Sequence, residues 1–282
     1  MQRKGDLHIH THSSDGRYSA QEIAVMAKDS GMDVISITDH DTTKSLKDAS
    51  SFCSIMSLKF IPGIELSTIY KNEDVHVLGY FNGNSYENPI LQSYVSAMYE
   101  SRRQRAKKLV DNLDIYFNIK LDYDAISESA KGIIARPHIA KAIVDAGYDY
   151  SWKYIFKNLI GKTSPAFVPN KRLTTEDGIK LLKSVGALVV LAHPVLIRNL
   201  DLNELLEMDF DGLEAIYYSN TAAQTETYKT IAANLNKFIT AGSDFHGLNK
   251  ENGTHSPTIG SVYLEENDLD IFLTKLACKA TS

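Results

Sequence analysis

Short runs of apolar residues alternate with amphipathic segments along most of the chain. Most of these runs are bounded by Gly, Pro or Asp and are rich in Val and Ile, which is typical of buried strands. The seven predicted strands are Asp6–Thr11, Val34–Thr38, Phe60–Glu65, Val75–Tyr80, Ala187–Ala192, Gly212–Ile216 and Phe238–Ala241. Between them lie helical patterns with recognisable starts, such as the capping box of Ser19 and Glu22. This alternation of strand and helix predicts a parallel α/β sheet or barrel.

One long region interrupts the alternation. From about Ile90 to Pro169 the apolar spacing is helical and no convincing strand occurs. The predicted helices there are Ser93–Asn112, Tyr123–Ser129, Pro137–Ala146 and Tyr150–Leu159. We therefore expect a helical cap at residues 90–169, inserted between a first barrel part at 1–89 and a second barrel part at 170–282.

Composition and charge narrow the functional classes. The chain has 282 residues, of which 43% are hydrophobic and 23% charged, which is typical of soluble globular proteins and excludes fibrous or disordered ones. Thirty Lys and Arg residues against 35 Asp and Glu residues give a net charge of −5, so any phosphate-binding surface must be local. We expect a cytoplasmic protein without a membrane partner, because no secretory signal or transmembrane segment is recognisable. Duplex DNA is not an expected partner either.

Residues typical of metal ligands lie at or near the ends of the predicted strands. His8 and His10 are two residues apart on the first strand, so their imidazoles point to the same side. The same spacing recurs in Asp244 and His246 after the seventh strand. The remaining candidates are Asp15 after the first strand, His40 after the second, Glu65 at the end of the third, His76 near the start of the fourth and His193 after the fifth. Each residue alone is more often structural, but strand ends of one barrel converge on one face, where α/β enzymes have their sites.

The candidate ligands also indicate the chemistry. Imidazole and carboxylate without thiolate suit Mn²⁺, Fe²⁺ or Zn²⁺, and nine ligands suit two or three ions rather than one. Clustered divalent ions bind phosphate oxygens and lower the pKa of a bridging water from about 15.7 towards 7. The sequence thus predicts two or three divalent ions, with Mn²⁺ preferred, and a metal-bridging hydroxide as the nucleophile.

At these residues the sequence resembles the PHP (polymerase and histidinol phosphatase) family of metal-dependent phosphoesterases. The matching motifs are Asp-Leu-His-Ile-His-Thr-His-Ser-Ser-Asp-Gly at 6–16, Ile-Thr-Asp-His-Asp-Thr at 37–42, Pro-Gly-Ile-Glu-Leu-Ser at 62–67, Val-His-Val-Leu-Gly-Tyr at 75–80, Ala-His-Pro at 192–194 and Gly-Ser-Asp-Phe-His-Gly at 242–247. The resemblance implies a distorted seven-stranded β/α barrel and a trinuclear site. In that site His8, His10, Glu65 and Asp244 would hold one ion, Glu65 with His76 and His193 a second, and Asp15, His40 and His246 a third.

The predicted cap resembles one branch of this family. Ala135-Arg136-Pro137-His138, Gly161-Lys162-Thr163 and Phe167-Val168-Pro169 are similar to the branch that hydrolyses nucleoside 3′,5′-bisphosphates and trims short RNA from its 5′ end. The resemblance implies that a small phosphorylated nucleotide or a short oligoribonucleotide is the substrate.

Four cap residues are candidates for substrate binding. Arg136 is expected to bind phosphate, because a guanidinium group can hold phosphate at two points. His138 would contact the substrate or protonate the leaving oxygen, and both residues are candidate catalytic residues together with His193. Arg102 and Arg105 belong to a basic run on the first cap helix, which is either a solvated face or a track for additional phosphates.

Three other functions stay open from the sequence. One is a phosphatase for another phosphorylated metabolite, such as histidinol phosphate. A second is a C–N hydrolase of the amidohydrolase type, since such barrels also begin with His-x-His. The third is a non-catalytic metal-binding PHP module, against which the presence of all nine candidate ligands argues. The exact substrate, the metals bound in vivo, the leaving-group acid and the oligomeric state are not predicted.

Overall fold

A computed structural model describes residues 2–130, 132–169, 171–247, 256 and 258–279. The strands are β1 Lys4–Ile9, β2 Val34–Ile37, β3 Lys59–Tyr70, β4 Glu73–Tyr80, β5 Leu173–Thr174, β6 Leu188–Leu191, β7 Gly212–Tyr217, β8 Phe238–Gly242 and β9 Leu264–Glu265. The helices are α1 Ala20–Asp29, α2 Leu46–Ile55, α3 Pro89–Phe117, α4 Tyr123–Ala130, α5 Arg136–Asp145, α6 Trp152–Tyr154, α7 Thr175–Ser184, α8 Leu202–Leu206, α9 Ala222–Asn234 and α10 Glu266–Cys278.

The strands form one sheet that curls into a barrel. Its order is β8-β7-β6-β4-β3-β2-β1-β9, and β5 pairs with the far end of β3. The barrel closes between β1 and the segment after β8, where the Asp244 N–H donates to the His8 carbonyl at 2.9 Å and the His10 N–H to the Phe245 carbonyl at 3.0 Å. The predicted α/β barrel is confirmed. The seven-strand count is not, because the two-residue strands β5 and β9 join the seven predicted ones in the described part of the chain.

The expectation of a parallel sheet is wrong at two strands. The short strand β9 pairs antiparallel with β1, and β4 runs antiparallel to both of its neighbours, β3 and β6. The third strand continues past Glu65, its predicted end, to Tyr70, and a two-residue turn of Lys71 and Asn72 leads directly into β4. Both turn residues have positive φ (46° and 68°), as the tight turns favoured in β-hairpins require. Because of this reversal, His76 near the start of β4 lies at the same barrel end as the carboxyl ends of the parallel strands.

Two hydrophobic clusters include the buried residues of the barrel strands. The larger cluster packs Ile23 of α1, Ala49 of α2 and Leu182 of α7 against strand residues such as Ile35. The smaller cluster joins α10 to residues such as Leu7, and Leu269 of α10 approaches Gly5 near the start of β1. Helix α10 therefore covers the barrel end where β1 begins, opposite the end where the candidate ligands lie.

Residues 89–169 are helical, without a strand among those the structure describes. The predicted helices are present as α3, α4 and α5, while the last one is α6 followed by a wider helical turn at Ile155–Leu159. Cap residues such as Leu113, Ile126 and Ile139 form a hydrophobic cluster of their own. The separation of 90–169 as a cap domain stays a prediction. No helix in the described ranges is both long enough and apolar enough to cross a bilayer.

Candidate metal centre

All nine predicted ligands lie together at one end of the barrel. Six strands or the loops after them supply these ligands: β1 supplies His8, and the loop after it supplies His10 and Asp15. His40 follows β2, Glu65 lies within β3, and His76 lies within β4. His193 follows β6, while Asp244 and His246 follow β8. They form three overlapping groups whose ligand atoms lie within 4.8 Å of one another in each group, with His193 beside Glu65.

The most compact group consists of His8, His10, Glu65 and Asp244. The Nε2 atoms of His8 and His10 are 3.1 Å apart. Glu65 Oε2 lies 3.2 Å and 3.1 Å from these two nitrogens, and Asp244 Oδ1 lies 3.4 Å and 3.1 Å from them. Ligand atoms bound at about 2.1 Å to one ion are separated by about 3.0 to 3.4 Å in octahedral or tetrahedral geometry. The donor set therefore fits a divalent cation.

Glu65 links this group to a second set of histidines. Its other oxygen, Oε1, lies 2.8 Å from His76 Nδ1 and 2.9 Å from His193 Nε2. His40 Nδ1 is 3.0 Å from Oε2 of the same carboxylate. Since each oxygen of Glu65 faces different histidines, this one buried carboxylate can bridge two ions.

The third group surrounds Asp15. Its Oδ1 lies 3.1 Å from His246 Nε2 and 3.9 Å from His10 Nδ1, and its Oδ2 lies 3.9 Å from His40 Nε2. His40 thus faces Asp15 with one nitrogen and Glu65 with the other. Sequence resemblance implies His40 for the third ion alone, whereas the geometry gives it contact with two of the groups.

The electrostatic environment keeps the carboxylates charged. Burial by itself would raise the pKa of Glu65, but His40, His8 and His76 outweigh it and hold that pKa well below its usual range. The pKa of Asp15 is lowered in the same way, against its burial, by His246 and His40. Burial lowers the pKa of His40 to about 3 despite both carboxylates, so its imidazole is neutral and able to bind a metal ion.

Two residues that orient the ligands were not found from the sequence. Glu214 in β7 accepts a hydrogen bond from His8 Nδ1 at 2.9 Å and another from the His193 N–H at 2.7 Å. The Tyr217 hydroxyl donates to Asp244 Oδ2 at 2.8 Å. Partners of this kind aim a ligand's other atom at the metal. The sequence does contain one sign of the role of Glu214, because it is a carboxylate inside the otherwise apolar predicted strand Gly212–Ile216.

The Asp-His-Asp motif at 39–41 supplies structural contacts on both sides of His40. Asp39 accepts hydrogen bonds from the Thr11 N–H and from the Thr11, Ser14 and Ser45 hydroxyls, so it holds the loop that leads to Asp15. Asp41 accepts a hydrogen bond from the Ser67 N–H and pairs with Arg102. The sequence pattern predicts a role for His40 alone among these three.

The backbone is strained where the strands deliver ligands. His193 and Asp244 have φ values of 24° and 49°, and Asp41 beside His40 has 51°. Residues with side chains rarely adopt such left-handed conformations, which cost on the order of 1–3 kcal/mol and concentrate at functional sites. These three turns redirect the chain at the barrel end where the ligands converge.

The predicted substrate residues occupy two different environments. Arg102 is buried and donates to Asp41 and to the Ser67 hydroxyl, so it is neither solvated nor free to move. His138, at the start of α5, accepts a hydrogen bond from the Ala135 N–H through Nδ1. Burial lowers the pKa of His138, although the Asp15 carboxylate opposes this effect. His138 therefore lies within electrostatic reach of the candidate metal centre.

Arg105 and Arg136 differ from Arg102, which pairs with Asp41. Arg105 is 7% exposed and donates from Nε to the Val168 carbonyl, and Arg136 lies over the Phe156 ring at 5.9 Å. Among the residues that the structure describes, no carboxylate forms an ion pair with either guanidinium. Burial and three neighbouring arginines, of which Arg172 is one, lower the pKa of Arg105 to about 10. A surplus of positive charge therefore lies between cap and barrel.

Comparison with known proteins agrees with this site. A family model described as the PHP domain matches residues 6–168. The 5′-3′ exoribonuclease Rnm of Escherichia coli K12 is 28% identical over 255 residues, covering 86% of this chain and 84% of that protein. The 3′,5′-nucleoside bisphosphate phosphatase of Chromobacterium violaceum is 26% identical, covering 86% of each chain. A candidate metal-dependent phosphoesterase of known structure from Bifidobacterium adolescentis has a TM-score of 0.84 at 27% identity, covering 96% of each chain.

These findings decide the class of protein and of reaction. The matched family model spans more than half of the chain, and it includes the predicted ligands from His8 to His76. The relatives are named as hydrolases of phosphate esters, so the prediction of a metal-dependent phosphoric ester hydrolase is confirmed. The chain belongs to the PHP domain family of metal-dependent phosphoesterases.

Proposed function

We propose that this enzyme removes a phosphate from a small nucleotide, a nucleoside 3′,5′-bisphosphate, or trims short RNA from its 5′ end. The observation that carries the proposal is the convergence of Glu65 and eight other ligand-type side chains at one barrel end. Arg105 and Arg136 add positive charge near Arg102, which pairs with Asp41 next to His40. The first feature suits phosphate-ester hydrolysis, and the second suits a substrate with more than one phosphate.

Two or three divalent ions, preferably Mn²⁺ with Fe²⁺ or Zn²⁺ as alternatives, are part of the proposal. His8, His10, Glu65 and Asp244 would hold one ion; Glu65, His76 and His193 a second; Asp15, His40 and His246 a third. Bound ions would supply neutralisation of phosphate charge and activation of water. The protein's own contribution is to hold the ligands: Glu214 orients His8, Tyr217 orients Asp244, and Asp39 fixes the loop of Asp15.

The cap residues would bind the part of the substrate that the ions do not hold. Arg105 and Arg136 are two cationic groups that form no ion pair with a carboxylate among the described residues, and they match the charge of a phosphate dianion. Arg102 and Arg105, both predicted to bind substrate, would then differ in role. Arg102 would anchor the cap helix through Asp41, and Arg105 would contact phosphate.

His138 is assigned as a hydrogen-bond donor to the substrate. Its Nδ1 accepts from the Ala135 N–H, so the neutral ring carries its proton on Nε2. The lowered pKa keeps the ring neutral at pH 7. A neutral imidazole donates a hydrogen bond to phosphate more readily than it protonates a leaving alkoxide, and we therefore favour substrate contact over general acid catalysis.

The substrate claim is tested with Arg136→Ala. Loss of one charge-assisted phosphate contact should lower kcat/KM for a nucleoside 3′,5′-bisphosphate by about 30- to 200-fold, equivalent to about 2–3 kcal/mol. The loss for a simple monophosphate ester should be much smaller, and metal content should not change. Arg103→Ala, at the exposed neighbour of Arg102, is the matched control and should leave both activities intact.

Three outcomes would contradict the proposal. Equal losses on both substrates would assign Arg136 to the reacting phosphate, and no loss on either would remove the cap from substrate selection. Faster phosphate release from histidinol phosphate or another metabolite than from any nucleotide, in a panel with added Mn²⁺, would replace the proposed substrate.

A further inference from the structure

The part of the chain that returns from the cap to the barrel is strongly basic. Between positions 150 and 175 the sequence contains Lys153, Lys157, Lys162, Lys171 and Arg172, and no Asp or Glu. The whole chain has a net charge of −5, so the charge of this segment is opposite in sign to that of the whole chain. A local concentration of positive charge on an acidic protein favours an anionic partner at that place.

Two exposed tyrosines and two of these lysines lie close together in the chain at the last helical part of the cap. Tyr150 precedes α6, Lys153 and Tyr154 lie in it, and Lys157 lies in the wider helical turn that follows. All four are exposed, whereas Trp152 and Phe156 turn inward against the hydrophobic cluster of the cap. We call these four residues the tyrosine–lysine face.

The rings of Tyr150 and Tyr154 stack on each other and are partly exposed to solvent. Their planes are stacked at an angle of 8° with centroids 5.2 Å apart, and Tyr150 and Tyr154 are 37% and 46% exposed. Flat aromatic surfaces interleaved with basic residues are typical of sites for single-stranded nucleic acid, where bases stack on rings and lysines follow the phosphates.

Further along the chain, the basic segment contacts β4 close to a candidate ligand. Lys162 Nζ lies 3.4 Å from Asp74, and Arg172 pairs with the same carboxylate. Asp74 is two residues before His76 on β4, so the two side chains leave the strand on the same face.

We propose that the tyrosine–lysine face binds the single-stranded part of an RNA substrate whose 5′ end lies at the metal centre. The inference rests on the proposed function and deepens it, because it makes an RNA strand of several nucleotides the preferred substrate over a mononucleotide. An acidic peptide would match the lysines, but the paired flat rings favour nucleobases.

The test compares a substrate that reaches the face with one that does not. In the metal-loaded enzyme, Tyr154→Ala and Lys157→Ala should each raise KM for a 5′-phosphorylated pentaribonucleotide on the order of 10-fold. Both variants should hydrolyse adenosine 3′,5′-bisphosphate at the wild-type rate. Lys275→Ala is the matched control; this lysine lies beside Phe238 at the start of β8, at the opposite barrel end.

A direct measurement of RNA binding distinguishes a failure of this inference from a failure of the proposed function. Fluorescence anisotropy with a 3′-labelled pentaribonucleotide should show weaker binding to Tyr154→Ala and to Lys157→Ala, with a smaller salt dependence in Lys157→Ala. Unchanged RNA binding in both variants, or equal loss of activity on RNA and bisphosphate, would overturn the inference. If the wild-type enzyme hydrolysed neither substrate while RNA binding still depended on this face, the proposed function would fail, and only the binding of RNA by this face would stand.

Discussion

Glu65 is the residue on which the geometry of the metal centre depends most. Its two carboxylate oxygens face five histidines, and its side chain is buried within β3 rather than at the end of the strand. A buried carboxylate is costly unless it is paired or coordinated. The surrounding histidines hold its pKa well below the usual range, so it is ionised before any metal binds.

Glu214 gives a prediction at the residue scale. Glu214→Gln replaces the acceptor of the His8 Nδ1 hydrogen bond with a weaker one, so the orientation of His8 is less well fixed. We expect a 10- to 100-fold loss of metal affinity, which is the usual effect of removing such a partner. The measurement is metal competition with a chelator, together with elemental analysis of protein reconstituted with Mn²⁺.

The wild-type protein should retain two or three ions per chain in that analysis. Glu204→Gln is the control, because Glu204 lies at the surface and contacts Tyr70 and Lys71 instead of a ligand. An unchanged affinity in Glu214→Gln would mean that His8 is oriented by the strand alone. One ion or none in the wild-type protein would contradict the multinuclear site.

At the scale of elements, α3 joins the cap to the barrel. Its first turns contribute Leu91 and Val95 to the large barrel cluster, and its second half contributes Leu109 and Leu113 to the cap cluster. Between these two parts, Arg102 reaches Asp41 beside His40. One continuous helix therefore passes from the barrel core, along the metal centre, into the cap core.

The Arg102–Asp41 pair gives a prediction for this helix. Arg102→Met should lower the free energy of unfolding by about 3–5 kcal/mol, because Asp41 is left as an unpaired buried charge. Adding Asp41→Asn should recover part of the loss. Urea denaturation of the single and double variants measures both effects, and Arg103→Met at the exposed neighbouring position should change stability by less than about 0.5 kcal/mol. A single variant as stable as the wild type would show that the ion pair does not hold α3.

At the scale of the whole molecule, helix α3 affects whether the cap can unfold independently of the barrel. The predicted insertion at 90–169 has its own hydrophobic cluster, but the barrel cluster includes the beginning of α3. Two domains joined only by loops can unfold separately, whereas a helix common to both cores couples them.

We therefore expect one cooperative thermal transition by calorimetry. Leu113→Ala in the cap core and Leu191→Ala in the barrel core should each destabilise by about 2–5 kcal/mol and move that single transition to lower temperature. Two separate transitions, with each variant affecting only one, would show that cap and barrel fold independently.

The sequence by itself determined the barrel class and the identity of the nine candidate ligands. Local signals suffice for both: strands and helices differ in apolar period, and His-x-His or Asp-x-His on an extended chain presents two ligands to one side. Strand ends of a β/α barrel meet at one face, so residues distant in sequence could be placed together without coordinates.

Only the tertiary structure decided which way β4 runs and which side chains support the site. The direction of a strand depends on its neighbours, and an apolar period is the same in both directions, so the position of His76 followed from the β3–β4 hairpin. Glu214, Tyr217 and Arg102 look like an ordinary strand carboxylate, a core aromatic and a surface cation in sequence. Their roles come from partners 27 to 206 residues away, because a buried polar group is defined by what it contacts and no local pattern records that contact.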